Sequence, residues 1–153
     1  MQILLFALLL LALLLLAQLG VGVSTMSTLS ERKLSHIICR DTPGYDHANK
    51  GRIEKGISYL RGHDPPQATL CHQPGGGCCS RLSCDTDAAI YACNDDEAAD
   101  KVVSLSDVAD LAQAVLDDDD CVWKPSTGHV VLGQAFDDGG WNVIVGIKDG
   151  DSC

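Results

Sequence analysis

The chain has 153 residues, with 21 Asp/Glu against 11 Lys/Arg, a formal net charge of −10, eight Cys and five His. That length supports one domain rather than two, and a surface so acidic repels phosphate backbones and anionic lipid, which disfavours nucleic-acid binding. The charge is uneven: residues 25–81 carry eight Lys/Arg and five Asp/Glu, whereas residues 82–153 carry three and sixteen.

Residues 3–16 form an unbroken apolar run, mostly Leu, followed by Gly20, Gly22 and Ser24, small residues suited to signal peptidase. Residues 1–24 therefore read as a signal peptide and the protein as secreted and extracellular. A signal anchor is the competing form, because residues 3–23 just span a bilayer. Gln18 and the glycines interrupt that span, and no basic stop-transfer cluster follows, so no integral membrane segment is expected after cleavage. Residues 25–35 are polar and read as a flexible lead-in, in which Arg32-Lys33 is either a processing site or solvated charge. Residues 36–153 form the single domain.

Within that domain Ile53, Ile57 and Leu60 fall on one helical face that stops at Gly62, with Gly51 and Gly56 weakening the helix. Residues 64–84, DPPQATLCHQPGGGCCSRLSC, hold four cysteines amid turn-forming residues and read as an irregular stapled loop. Residues 88–93 read as a short strand, with Ile90 and Ala92 on one face and Tyr91 and Cys93 on the other. A second helix opens at Ser104, with Asp107 as a capping pair, and carries Leu105, Val108, Leu111, Ala112 and Val115 to an end near Asp117. Residues 130–136, a turn at 137–140 and residues 141–147 read as a hairpin, with Trp141, Val143, Val145 and Ile147 on one face. The order predicts an α+β fold: a small antiparallel sheet with two helices packed on one face, a disulfide-stapled sandwich.

The cysteines at 39, 71, 78, 79, 84, 93, 121 and 153 are even in number and irregular in spacing, which points to a framework of up to four disulfides in an oxidising compartment. Paired C-x2-C units of a zinc site are absent. All eight (Cys39, Cys71, Cys78, Cys79, Cys84, Cys93, Cys121, Cys153) are disulfide candidates. Their pairing stays open among 105 possibilities. Adjacent Cys78 and Cys79 must point to two separate elements.

Ile37-Ile38-Cys39-Arg40, the run 56–60, the run 89–93, the helix followed by Cys121, Gly133-Gln134-Ala135-Phe136, the strand from Trp141 and the closing Ser152-Cys153 occur in a recognisable order. Over 36–153 this resembles small secreted cysteine-rich proteins of filamentous fungi, and more distantly the killer toxins of smut fungi. The resemblance implies a compact α+β sandwich and an extracellular toxin or effector rather than an enzyme. The killer toxin blocks calcium channels through a lysine before a central cysteine and is basic. Residues 71–84 here contain no Lys and offer only Arg81, in a strongly acidic chain.

A secreted hydrolase is the rival reading. It needs a nucleophile with an oriented base, or paired carboxylates across a cleft. There is no Gly-x-Ser-x-Gly elbow, and His36, His47, His63, His72 and His129 are scattered, so no catalytic residue is assigned. Asp117 to Asp120 and Asp95-Asp96-Glu97 lack the alternating calcium loop and read as solvated acidic loops, so neither metal nor cofactor is expected. Trp141 reads as core, whereas Trp123 reads as an exposed recognition side chain. The expectation is a monomeric secreted effector or toxin-like protein that binds an extracellular or host target, with Arg81, Trp123 and Lys124 as anchors. A wall or matrix structural protein would show repeats that this chain lacks. A concave site with converging polar groups would favour the hydrolase, and a flat or loop-dominated surface the binder.

Overall fold

Asn49 opens the first helix: its Oδ1 accepts the Arg52 N–H at 3.2 Å, and α1 then runs Lys50–Gly62. In the computed structural model residues 34–126 and 128–153 are described. The expected signal peptide at 1–24, most of the expected lead-in at 25–35 and the candidate processing pair Arg32-Lys33 lie outside the described residues. Eleven strands accompany two helices: β1 (Leu34–Cys39), β2 (Tyr45–Asp46), β3 (Ala48–Asn49), β4 (Gln67–Leu70), β5 (Cys78–Asp85), β6 (Ala88–Asn94), β7 (Lys101–Ser104), α2 (Leu105–Asp117), β8 (Val122–Trp123), β9 (Val130–Val131), β10 (Gly133–Asp137) and β11 (Trp141–Lys148).

The main sheet is antiparallel in the order β1-β10-β11-β6-β5, with β2 added to the end of β11. Beside it lie a three-stranded sheet, β3-β9-β8, and a two-stranded one, β4-β7. Both helices cover one face of the main sheet. Ile53, Ile57 and Leu60 of α1, and Val108, Ala112 and Val115 of α2, meet Ile90, Ala92, Val143 and Val145 in one buried cluster. Each of the larger side chains contributes about 1.5–3 kcal/mol on burial. Arg61 and Asp110 join the two helices at 2.9 Å. This is the α+β sandwich of the sequence reading. No helix among the described residues is long and apolar enough to cross a membrane.

The cysteines pair Cys39–Cys121, Cys71–Cys78, Cys79–Cys93 and Cys84–Cys153, leaving none free. Cys78 and Cys79 do serve two elements: Cys78 closes a loop to the end of β4, and Cys79 crosses to β6.

Several expectations need correction. Residues 64–84 are not one irregular loop, because β4 pairs with β7 and β5 pairs with β6; ladder partners far along the chain supply what local turn chemistry hides. Strand β1 starts at Leu34, inside the lead-in, since β10 offers it an open edge. Ser104 sits at the N-cap of α2, but its hydroxyl meets Ser106 Oγ at 2.7 Å and makes no cap bond. Val130 and Val131 leave the hairpin for β3 and β8. Ile147 departs from the face of Trp141, Val143 and Val145 and packs with Tyr91 and Ile144, because past Gly146 the partner of β11 changes from β6 to β2.

Candidate functional site

The face of the main sheet that carries no helix is laid out by cross-strand rows. One row runs Phe136, Asn142, Cys93, Cys79; the next runs Gln134, Ile144, Tyr91, Arg81. His36 extends the first, stacked on Phe136 with ring centroids 4.3 Å apart and planes within 7°. Over these rows opens a groove of about 500 Å³, within the size range of small-molecule sites. Its rim at one end is the glycine turn 73–77, tied down by Cys71–Cys78, while Tyr45 and Lys148 stand at the other end.

The turn needs its glycines. Gly75, Gly76 and Gly77 all have positive φ, and a Cβ on Gly76 would stand 2.8 Å from the Asp95 carbonyl oxygen. That close approach presses the turn against the segment leaving β6. The segment is fixed in turn by Asn94, which is fully buried: its Nδ2 donates to the Cys71 and Ala99 carbonyls at 3.0 and 2.8 Å, and its Oδ1 accepts the Asp96 N–H at 3.1 Å. Asp96, in its turn, is held below the ordinary carboxylate range, first by the Ala98 N–H it accepts at 2.8 Å.

Asp95 is thereby aimed at the groove. Asn142, 2% exposed, donates its Nδ2 to both Asp95 oxygens at 2.9 and 3.0 Å and accepts Gln134 Nε2 on Oδ1 at 2.8 Å. Asp95 stays exposed, as the solvated acidic loop read from the sequence expects, and a buried amide on β11 reaches it as well.

Beyond Tyr45 and Lys148 the C-terminal residues lie against the same sheet face. Tyr91 donates its hydroxyl to Asp151 Oδ2 at 3.0 Å and accepts the Lys148 N–H at 3.2 Å. Burial, before all other influences, pushes the phenols of Tyr91 and Tyr45 above their ordinary value.

The three expected anchors do not converge. Arg81 lies on this face, but in strand β5 rather than in a loop, and its Nη1 donates to Asp151 Oδ2 at 3.3 Å and the Ser152 carbonyl at 3.1 Å. Trp123 belongs to β8 in another sheet and is only partly exposed, with the Arg40 guanidinium 4.9 Å from its ring centroid and His47 beside it at 5.5 Å. Lys124, next to it, is exposed.

Sequence reasoning missed Gln134, Phe136 and Asn142, and weighed Asp95 only as part of an acidic run. The signal was available for the first three: they alternate with the apolar face of the hairpin and must therefore point the other way.

The groove offers amides, one carboxylate, one ammonium group and a phenyl ring. The groove is concave with converging polar groups, the feature that would favour a hydrolase. Among the described residues its lining includes one carboxylate, Asp95, with no imidazole and no Ser or Thr. Elsewhere His72 Nδ1 lies 2.6 Å from Asp100 Oδ1, an exposed dyad. One cluster of metal-type ligands occurs among the described residues, Asp118 with Cys39 and Cys121, but those sulfurs are bonded to each other and offer no thiolate. Comparison with protein-family models, with curated proteins and with solved structures finds no match.

Proposed function

We propose that the protein is a secreted effector or toxin-like protein that acts by binding an extracellular or host target, with the groove on the helix-free sheet face as its contact surface. The observation that carries this reading is the groove's inventory: amides, one carboxylate and a phenyl ring on a floor of paired strands, with rim and floor pinned by Cys71–Cys78 and Cys79–Cys93. Pinned walls lose little entropy when a ligand arrives, so few contacts suffice for useful affinity. Four disulfides suit an oxidising compartment, in keeping with the leader-like run at 3–16. Trp123 and Lys124 form a second, separate candidate contact.

The small secreted hydrolase is favoured by two observations, the concavity around Asp95 and the His72–Asp100 pair. One experiment separates the readings. Purified protein is applied to fungal and plant cells, and the dose giving half-maximal loss of viability is compared for Phe136→Ala, Trp123→Ala, Lys124→Ala, His72→Ala and Asp95→Asn, each checked for native folding by near-ultraviolet circular dichroism. A binder shows about a tenfold or greater rise in dose for Phe136→Ala and little change for His72→Ala. Loss of activity on the order of 10²-fold in a folded His72→Ala or Asp95→Asn, with Phe136→Ala silent, makes the hydrolase the correct reading.

A further inference from the structure

Beside the donors of Lys148 and Tyr45 the groove keeps several side-chain acceptors unspent. Gln134 donates Nε2 inward to Asn142 and leaves its Oε1 without a donor among the described residues. Gln73 does the same, giving Nε2 to the Gly76 carbonyl at 2.9 Å. Asp95 receives Asn142 Nδ2 on both oxygens, and a carboxylate has about four lone-pair sites, so acceptor positions remain. Three side chains thus present acceptors, and a ligand that satisfies them must bring donors.

Next to these acceptors lies an apolar strip. Phe136 is braced by His36, and Ile144 and Tyr45 continue it across the groove. A matching ligand is therefore hydroxyl-rich at its edges and carries C–H on its faces.

Two other classes fit less well. Strands β10, β11 and β6 are interior strands whose backbone groups are taken up on both sides, so an extended peptide finds no ladder to join there. An anionic ligand meets Asp95 and a chain of net charge −10, with Lys148 the sole cation among the lining residues.

We infer that the groove binds a neutral oligosaccharide, with hydroxyls donating to Gln73, Gln134 and Asp95 and the C–H face of one sugar ring lying on Phe136. This rests on the binding reading above and names its ligand class.

The test is titration of the ¹⁵N-labelled secreted protein, up to millimolar sugar, with four neutral hexamers: cellohexaose, laminarihexaose, mannohexaose and chitohexaose. Spermine and a heparin hexasaccharide serve as cationic and anionic arms. The expected result is saturable shift changes confined to the groove strands with at least one neutral hexamer. Phe136→Ala weakens that binding about tenfold, and Phe136→Leu, which keeps the apolar volume without the ring, weakens it similarly. Tyr59→Ala, on the exposed face of α1, leaves it unchanged. Two results overturn the proposal: no saturable change with any neutral hexamer, or groove shifts with spermine or heparin alone. If the sugars fail while Phe136→Ala still reduces activity on cells, the binding reading stands and its ligand class is wrong. If Phe136→Ala leaves that activity intact, the binding reading itself fails.

Discussion

Tyr91 and Tyr45 meet edge to face, ring centroids 5.2 Å apart, under the C-terminal residues of the chain. Burial is the first cause of their raised pKa values. For Tyr45 the neighbouring Tyr91 and Asp151 add to it, and for Tyr91 the bond to Asp151 raises the value further while the Lys148 N–H lowers it. In the unfolded chain these phenols release their protons near 10; in the folded chain they hold them to higher pH. Between the two values the folded state binds more protons, so the stability they contribute is complete below about pH 10 and is lost as pH rises through the folded values. Urea midpoints measured from about pH 8 to about pH 11 should therefore fall above pH 10, more steeply for wild type than for Tyr91→Phe. At the lower end Tyr91→Phe should itself cost about 1 kcal/mol through the lost hydroxyl contacts. Equal slopes for the two proteins would show that Tyr91 is not a source of the alkaline loss.

At the scale of elements, two glycines of α1 look alike in sequence and behave oppositely in the fold. A Cβ on Gly56 would meet Ser83 Oγ at 2.6 Å and Ile90 Cδ1 at 3.2 Å, so the helix rests on β5 and β6 through this residue. A Cβ on Gly51 touches only Asn49 Oδ1, at an ordinary 3.4 Å. Replacing glycine by alanine in a helix is worth about 1 kcal/mol, whereas overpacking costs about 1–3 kcal/mol. Chemical denaturation should show Gly51→Ala stabilised by up to about 1 kcal/mol and Gly56→Ala destabilised by about as much. A stabilised Gly56→Ala would mean that α1 stands further from the sheet. Periodicity alone placed α1, α2, β6 and the β10–β11 hairpin, because each has a regular face to bury. It missed β1, β2, β3, β4, β5, β7 and β8, and read β9 as part of the hairpin. In β5, for instance, cysteines and serines replace the β-branched residues that mark a strand, and the pairing with β6 and the bridge Cys79–Cys93 set its course. The groove divides the same way. Gln134, Phe136 and Asn142 follow from alternation, but Asp95 and the glycine rim arrive through Asn94 and the pairing of Cys71 with Cys78, which spacing does not reveal.

Over the whole molecule the four bridges divide the labour. Cys39–Cys121 and Cys84–Cys153 span 82 and 69 residues and constrain the unfolded chain most, while the spans of 7 and 14 shape the groove rim and floor. Cys84–Cys153 also anchors the residues that Arg81 and Tyr91 hold through Asp151. Replacing both sulfurs, Cys84→Ser with Cys153→Ser, avoids an odd thiol and should lower stability by roughly 2–5 kcal/mol in guanidinium unfolding. A change within about 0.5 kcal/mol would mean that Asp151 and its partners hold the terminus without the bridge.

The neighbouring cysteines of β5 have one more effect. Cys79 stands directly across the ladder from Cys93, and Cys78 turns the other way, to Cys71. Successive side chains of a strand leave on opposite faces, so a slide of β5 by one residue against β6 brings Cys78 to the place of Cys79. A bond closed in that state would fix an inverted strand, with Leu82 drawn out of the core it packs against and Arg81 driven into it. The sulfur chemistry cannot tell the two alignments apart, since both set a cysteine opposite Cys93. The choice falls to the apolar side chains, and a native molecule forms when Leu82 has found the helix side before the adjacent thiols are oxidised.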